Sequence, residues 1–291
     1  MNGPITVVGG KSRLAKRIIE LFPEHVCYAE PFAGGAQVFF HKPHSKVEVL
    51  NDLDGEVVNF FRVCQAHHEE LIRCLRYHLA SRKWFDMLKA TDPVNLTDIQ
   101  RAVRFFYIRR LAFGGRVRTP TFGYGTTGRP RFRSSRIPDI LKAAHERLLD
   151  VHIECLPYSE ILRRYDRPDT LFYCDPPYWK LPYYNHNLRE SDFGELAEAL
   201  GGLKGRFILS LNDVPEIRRL FRSFHILDAE LTYSCNRVDK GATGLELLIH
   251  NIPPNSIGKW SAGLPQVAPR GILRGKSSNG GQNHCSVGGI D

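Results

Sequence analysis

The chain has 291 residues, enough for one large domain with an insertion or for two small ones. It is 42% hydrophobic and 24% charged, and its seven cysteines, an odd number with no Cys-x-x-Cys pair, exclude a disulfide framework and a cysteine zinc site. No stretch approaches the roughly 18 apolar residues of a membrane span, so a reducing cytosol is the simplest home, and the net charge of +9 raises the question of a polyanionic partner.

Residues 5–10, Ile-Thr-Val-Val-Gly-Gly, lead into Lys11-Ser12-Arg13 and a helical pattern of Leu14, Ile18, Ile19, Leu21 and Phe22 that Pro23 ends. Gly9-Gly10-Lys11-Ser12 before a helix has half of a phosphate-binding loop, but the earlier glycine that loop needs is Ile5, so that reading is rejected. Val26 to Ala29 reads as the first sheet strand, and Glu30-Pro31-Phe32-Ala33-Gly34-Gly35 as the turn after it. Adjacent glycines there let the backbone come close to a ligand. A second strand, Val47 to Leu50, ends in Asn51-Asp52. Nucleotide-binding sheets place an acidic residue about 20 positions after a glycine turn to accept from ribose hydroxyls, which suits Asp52. The alternative is that Asn51 or Asp52 caps the helix starting near Gly55.

From Gly55 to Leu79 the spacing of Val57, Phe61, Cys64, Leu71, Leu75 and Leu79 predicts one long amphipathic helix. His67 and His68 lie among charges and read as a solvated face, with no metal site. Helical patterns continue over Trp84 to Leu88 and Ile99 to Leu111, with Pro93 and Asn95 as a break. No parallel-sheet signal returns before about Asp150, so this region reads as a mostly helical insertion with a looped tip. Between Arg101 and Arg136 stand ten arginines, with no lysine, aspartate or glutamate. Within it, Arg109, Arg110, Arg116, Arg118, Arg129, Arg131 and Arg133 interleave with Phe113, Phe122, Tyr124 and Phe132 and with flexible glycines. Arginine pairs with phosphate and reads guanine through a bidentate fork, and exposed rings stack on bases. A solvated loop would mix both signs, so a nucleic-acid partner is expected.

Ile137 to Leu149 reads as a helix and Val151 to Cys155 as a strand, followed by Tyr158-Ser159-Glu160. The apolar run Leu171-Phe172-Tyr173-Cys174 reads as a buried strand, and at its carboxyl end stands Asp175-Pro176-Pro177-Tyr178. Open α/β sheets bind ligands at this end. The prolines stiffen the turn and leave carbonyls free to accept, so the corner offers a carboxylate, carbonyl oxygens and a flat ring to a base bearing an exocyclic amine. Trp179 to Arg189 has no period and reads as a loop able to close over such a base. Ser191 or Asp192 caps a helix through Leu203, Arg206 to Leu211 is a strand, and Pro215 opens a helix over Glu216 to Phe221. His225 to Thr232 and Leu245 to His250 read as an antiparallel edge hairpin joined by Lys240 to Gly244. Residues 253–291, with eight glycines, read as a disordered tail.

The corner Asp175-Pro176-Pro177-Tyr178, with Glu30 to Gly35 and Gly9-Gly10-Lys11, in that order along the chain, resembles the Dam-type (D12 class) N6-adenine DNA methyltransferases. The resemblance runs from about Val8 to about Asn251. It implies an α/β fold of the class I S-adenosylmethionine-dependent kind, a mostly parallel seven-stranded sheet with an inserted helical target-recognition domain. The expected division is residues 1–60 and 151–252 for the catalytic domain, 61–150 for the DNA-recognition insertion and 253–291 for the tail. The resemblance further implies S-adenosylmethionine held by Gly9, Gly10, Lys11, Glu30, Pro31, Phe32, Gly34, Gly35, Asp52 and Asp175. Tyr158 stands near the place of the cofactor adenine, although Pro157 replaces the acidic residue common there. Asp175, Pro176, Pro177 and Tyr178 would act on the N6 amine of an adenine flipped out of double-stranded DNA, with no metal. The enzyme would be cytoplasmic and monomeric, with no obligate protein partner. An N4-cytosine enzyme, an RNA or protein amine methyltransferase and a non-catalytic DNA-binding relic remain as alternatives.

Overall fold

A computed structural model describes residues 1–5, 11–124, 128, 130–232 and 243–260. Gly9, Gly10, Gly125, Arg129, residues 240–242 of the expected hairpin turn and residues 261–291 of the expected tail lie outside the described residues.

Seven strands form one sheet: β1 (Cys27–Glu30), β2 (Val47–Asn51), β3 (Val151–Glu154), β4 (Thr170–Cys174), β5 (Arg206–Asn212), β6 (His225–Thr232) and β7 (Thr243–His250), in the order β3-β2-β1-β4-β5-β7-β6. β1 to β5 run parallel, and β7 is antiparallel to both β5 and β6. The carboxyl ends of β1, β2, β4 and β5 therefore share one edge. β7 runs the other way, so a residue near its start reaches that same edge: Glu246 is the register partner of Asn212, the last residue of β5.

Side-chain alternation divides the strands between two cores. On one face Tyr28, Leu50, Leu171, Tyr173, Ile208 and Leu248 pack under α1 (Ala15–Ile19), α2 (Gln37–His41) and α3 (Gly55–Ala66). On the other, Ala29, Val49, Phe172, Phe207, Leu209 and Ile249 form a second core with helices that follow β3, β4 and β5. The connection from β2 to β3 continues from α3 through α4 (His68–Leu75), α5 (Arg82–Ala90), α6 (Asp98–Leu111) and α7 (Ile137–Leu148). It shares the first core: Phe60 stacks on Phe106 at 5.7 Å between ring centroids, and Phe132 meets Tyr107 at 4.8 Å. Truncating such a buried ring costs about 3–5 kcal/mol. The second face carries α8 (Tyr158–Tyr165), α9 (Glu190–Gly201) and α10 (Pro215–Leu220).

Four expectations are corrected. The pattern from Gly55 to Leu79 is two helices, because His67 takes φ −134° and breaks the ladder between α3 and α4. The cap before that segment is Asp54, whose side chain accepts from Glu56 N at 3.0 Å, in place of Asn51 or Asp52. α9 begins one residue before Ser191, and Asp192 sits inside its first turn, accepting from Arg189 N at 2.9 Å. Residues 253–260, expected as the start of the tail, return to the amino-terminal edge of the sheet, where Trp260 packs on Phe22 and His25 and donates its N–H to Phe22 O at 3.3 Å. Ile252, fully buried, anchors that return.

The amino-terminal edge also holds a buried charge cluster. Glu48, in β2, accepts from Lys42, Arg147 and the Ser45 backbone, and the Arg147 guanidinium lies 3.7 Å from the Phe39 ring centroid. Burial lowers the Lys42 pKa to about 8, while burial against Glu48 is outweighed by Arg147 and Lys42, which hold its carboxyl below the ordinary range.

Candidate active site and DNA interface

The turn after β1 and the end of β2 are tied together by two side chains. Asn51 donates to Pro31 O at 2.8 Å and Leu156 O at 2.9 Å, and accepts from Leu156 N at 2.8 Å, so one buried amide fixes the ends of three strands. Asp52 accepts from Gly34 N at 2.8 Å and Asp54 N at 2.9 Å. Burial raises its pKa to about 6 against those two hydrogen bonds. Gly34 has φ +48°, the left-handed region that favours glycine, and a Cβ placed there would meet nothing within 4 Å. The turn therefore leaves open space beside a carboxylate. Phe32 and Tyr158 border it, with ring centroids 5.2 Å apart. Gly35 is buried, and its carbonyl accepts from Gln37 Nε2 at 3.2 Å. Glu30 is turned inward: its Oε1 accepts from Tyr28 OH at 2.7 Å and Phe39 N at 2.8 Å, and burial pushes its pKa to about 8.

β4 delivers Asp175 to the same edge, followed by buried Pro176 and half-buried Pro177. Trp179 locks the turn by donating its N–H to Asn212 Oδ1 at 2.9 Å and packing on Phe193 at 5.0 Å. Lys11, only 3% exposed, reaches this corner from a short 3-10 turn, Lys11–Arg13. Its ammonium donates to Asp175 Oδ1 at 2.6 Å and Tyr178 OH at 2.7 Å, and lies 3.0 Å from Glu246 Oε1. Burial works against the Lys11 charge, but Asp175, Tyr178 and Glu246 outweigh it and raise its pKa. Asp175 is pushed up to about 6, by burial first and by Glu246, with Lys11 opposing. Its side chain keeps 24% exposure, so the corner faces outward at the carboxylate.

Glu246 and Ser210 were not found in the sequence. Glu246 is fully buried, accepts from Tyr178 OH at 2.7 Å, and also takes a hydrogen bond from Ser210 Oγ. One signal was present: a glutamate inside the apolar run Leu-Glu-Leu-Leu-Ile needs a cation from elsewhere in the fold. The loop after Tyr178 was read correctly as irregular, and it spans the site. Tyr183 O accepts from Arg118 N at 3.2 Å, Asn185 donates to Asp54 Oδ2 at 3.2 Å, and Tyr184 is half-buried near Asp175, Asp52 and Arg109, with its pKa raised by desolvation.

The arginine tract divides in two. Arg116, Arg118, Arg131 and Arg133 are exposed, as is Tyr124 at 67%. Arg82 of α5 stacks its guanidinium over the rings of Phe122 and Tyr124, at 4.9 and 5.4 Å. Arg109 and Arg110, expected among the DNA contacts, are placed otherwise. Arg109 is 7% exposed, donates to Arg116 O at 3.1 Å and lies over Phe105; Arg110 donates to Arg131 O at 2.9 Å and lies over Phe106. Arg109 is buried on the inner face of α6 and Arg110 half-buried beside it, and both hold the tip by its carbonyls.

The chain is 26% identical over 245 residues to the type II methyltransferase M1.LlaDCHI of Lactococcus lactis subsp. cremoris, covering 77% of this chain and 86% of that one. It is 25% identical over 256 residues to the DNA adenine methylase of Vibrio cholerae, covering 78% of this chain and 88% of the relative. The DNA N-6-adenine-methyltransferase of Escherichia phage P1 is also 25% identical over 256 residues, but there the match covers 80% of this chain and only 33% of the longer phage protein. Residues 8–235 match the model of the D12 class N6 adenine-specific DNA methyltransferases, and the chain belongs to that family: it is an enzyme that methylates adenine in DNA from S-adenosylmethionine.

Proposed function

We propose that this enzyme methylates an adenine flipped out of double-stranded DNA, and that Asp175, Pro176, Pro177 and Tyr178 hold the flipped base. One observation carries the reading. Lys11 occupies Asp175 Oδ1, while the carboxylate remains partly open, so Oδ2 is left to accept from an amine. The N6 lone pair is delocalised into the purine ring, which makes the amine a poor nucleophile. Hydrogen bonds from its N–H groups to Asp175 Oδ2 and the Pro176 carbonyl localise that pair and stabilise the positive charge developing on nitrogen. The Tyr178 ring supplies the stacking face. Lys11 keeps Asp175 ionised despite its burial.

S-adenosylmethionine supplies an electrophilic methyl group on its sulfonium. The donor set beside the β1 turn fits it: open space over Gly34, the Asp52 carboxylate, and the Phe32 and Tyr158 rings. Pro31 and Gly35 hold that turn in shape, and buried Glu30 serves from behind it. Residues 61–150 form the target-recognition part, with Arg116, Arg118, Arg131 and Arg133 toward phosphate or base edges and Tyr124 toward the stack. Extrusion of the base costs a few kcal/mol, which these contacts offset. DNA as substrate makes the cytoplasm its place of work, and one copy of the chain carries all the groups named.

The test is incubation with DNA and S-adenosylmethionine, digestion to nucleosides and mass spectrometry, alongside 2-aminopurine fluorescence at the target position. N6-methyladenine with a fluorescence rise is expected. N6-methyladenine with a flat signal in a duplex would remove the flipping step, and N4-methylcytosine would overturn the base assignment.

A further inference from the structure

The reading of the corner leaves Glu246 and Ser210 without a role. They belong to the adjacent strands β5 and β7; Glu246 meets both Lys11 and Tyr178, and Ser210 meets Glu246. Glu246 is fully buried, and its Oε1 gathers Tyr178 OH, Ser210 Oγ and the Lys11 ammonium. Its Oε2 is buried with no hydrogen-bond partner among the described residues. A buried carboxylate left half-satisfied in an otherwise apolar strand is destabilising on its own, and a neutral residue would suit β7 better. The arrangement makes physical sense if the charge is needed by its neighbours.

We propose that Glu246, anchored by Ser210, is a positioning residue of the methyl-transfer reaction, fixing the Tyr178 hydroxyl and the Lys11 ammonium together so that ring and Asp175 carboxylate meet the target amine at one setting. This rests on the reading of Asp175 and Tyr178 given above. Among the described residues the Tyr178 hydroxyl is held at two points, Lys11 at 2.7 Å and Glu246 at 2.7 Å, and the ring plane follows from both. Lys11 in turn is shared between two carboxylates, which centres it 4.8 Å from the Tyr178 ring centroid and limits how strongly it draws on Asp175. The groups facing Asp175 are Lys11, Glu246, Tyr178, Tyr173, Glu30 and Tyr184, with Cys174 beside it in the chain. Among them Glu246 raises the Asp175 pKa and Lys11 lowers it. Removing the Glu246 charge therefore moves the acid limb of kcat/KM to lower pH, a change that a purely structural residue would not produce.

The experiment compares Glu246→Gln, Ser210→Ala and Tyr178→Phe, and the pairs of Tyr178→Phe with Glu246→Gln and with Ser210→Ala, in the full chain. The readouts are single-turnover rate, KM for DNA, thermal midpoint and the pH profile. Glu246→Gln should lower the rate constant about tenfold or more, with KM for DNA nearly unchanged and the acid limb moved down. Ser210→Ala keeps the charge and should give a smaller loss with the limb in place. In the Tyr178→Phe background Glu246→Gln should cost less than it does alone, because the hydroxyl tie is already gone. A rate within about twofold of the parent, an unmoved limb in Glu246→Gln, or strict additivity with Tyr178→Phe overturns the proposal. If Glu246→Gln does not fold, the Ser210→Ala rate and its additivity with Tyr178→Phe decide in its place. An active Asp175→Ala enzyme would sink the reading of the corner itself, whereas an inactive one with a silent Glu246→Gln sinks only this inference.

Discussion

Two buried charge clusters stand at opposite edges of one sheet, and they are built differently. At the amino-terminal edge a single carboxylate, Glu48, faces two cations, Lys42 and Arg147, and is 4% exposed. At the carboxyl edge one cation, Lys11, faces two carboxylates, and Asp175 keeps 24% exposure. Accordingly the Glu48 carboxyl is held below its ordinary range, while that of Asp175 is pushed up to about 6. An excess of positive charge makes a closed clasp. An excess of negative charge with an open side makes a site that still wants a donor, a part that the proposed function gives to the N–H groups of the target amine.

The comparison breaks most sharply by mutation. Asp175→Ala should lower kcat by about 10²–10³-fold or more while leaving DNA binding and folding nearly intact, since Lys11 keeps Glu246 as a partner. Turnover within about tenfold of the parent would remove the proposed hold on the amine. Glu48→Gln should do the reverse: it strands Lys42 and Arg147, and urea unfolding should show a loss of about 3–5 kcal/mol with methylation per folded molecule retained. A stable Glu48→Gln protein would mean that the clasp is decorative.

Glu30 lies between the two clusters and sharpens the contrast through pH. Its folded pKa of about 8 is raised from the ordinary 4.5, so the folded chain holds a proton that the unfolded chain releases. The stability it contributes is full below pH 4.5 and is lost as pH rises through about 8. Glu30→Gln, whose carbonyl can accept from Tyr28 OH and Phe39 N, should flatten that decline; urea midpoints compared at about pH 5 and about pH 8.5 would show an unchanged slope if burial does not act this way. The smallest effect belongs to the surface. Arg118→Ala should weaken DNA binding across sequences and reduce the slope of log K against log salt by about 0.9. A slope identical to the parent would take Arg118 off the phosphate backbone.

Motifs at strand ends were legible because the chain itself brings their parts together. Asp175 to Tyr178, Glu30 to Gly35 and Asp52 each follow a short apolar strand, and a parallel sheet must place such ends on one edge. Glu246 was not legible for the opposite reason: only the antiparallel pairing of β7 with β5 brings it to Asn212 and so to Tyr178. Counting charge found the basic tract but not its inward part, because Arg109 and Arg110 follow Phe105 and Phe106 by one turn of a helix whose rotation the composition does not reveal. The break at His67 was hidden because the apolar period continues across it from Cys64 to Leu71, both fully buried.

Arg147 carries one more consequence. It stands in the last turn of α7, the helix by which the chain leaves the 61–150 segment, and its guanidinium is bound to Glu48 and to Phe39 O, with the latter at 3.1 Å. On the proposed reading of residues 61–150 as the target-recognition part, grafting that segment between relatives would exchange sequence specificity. Here the graft has a return address: a transplanted segment without an arginine at that turn would leave Glu48 facing Lys42 without its second strong cation, even though Leu141, Ala144 and Leu148 still pack α7 into the core. Recombination between relatives would therefore cost least stability where donor and host agree on this arginine, whatever DNA each of them reads.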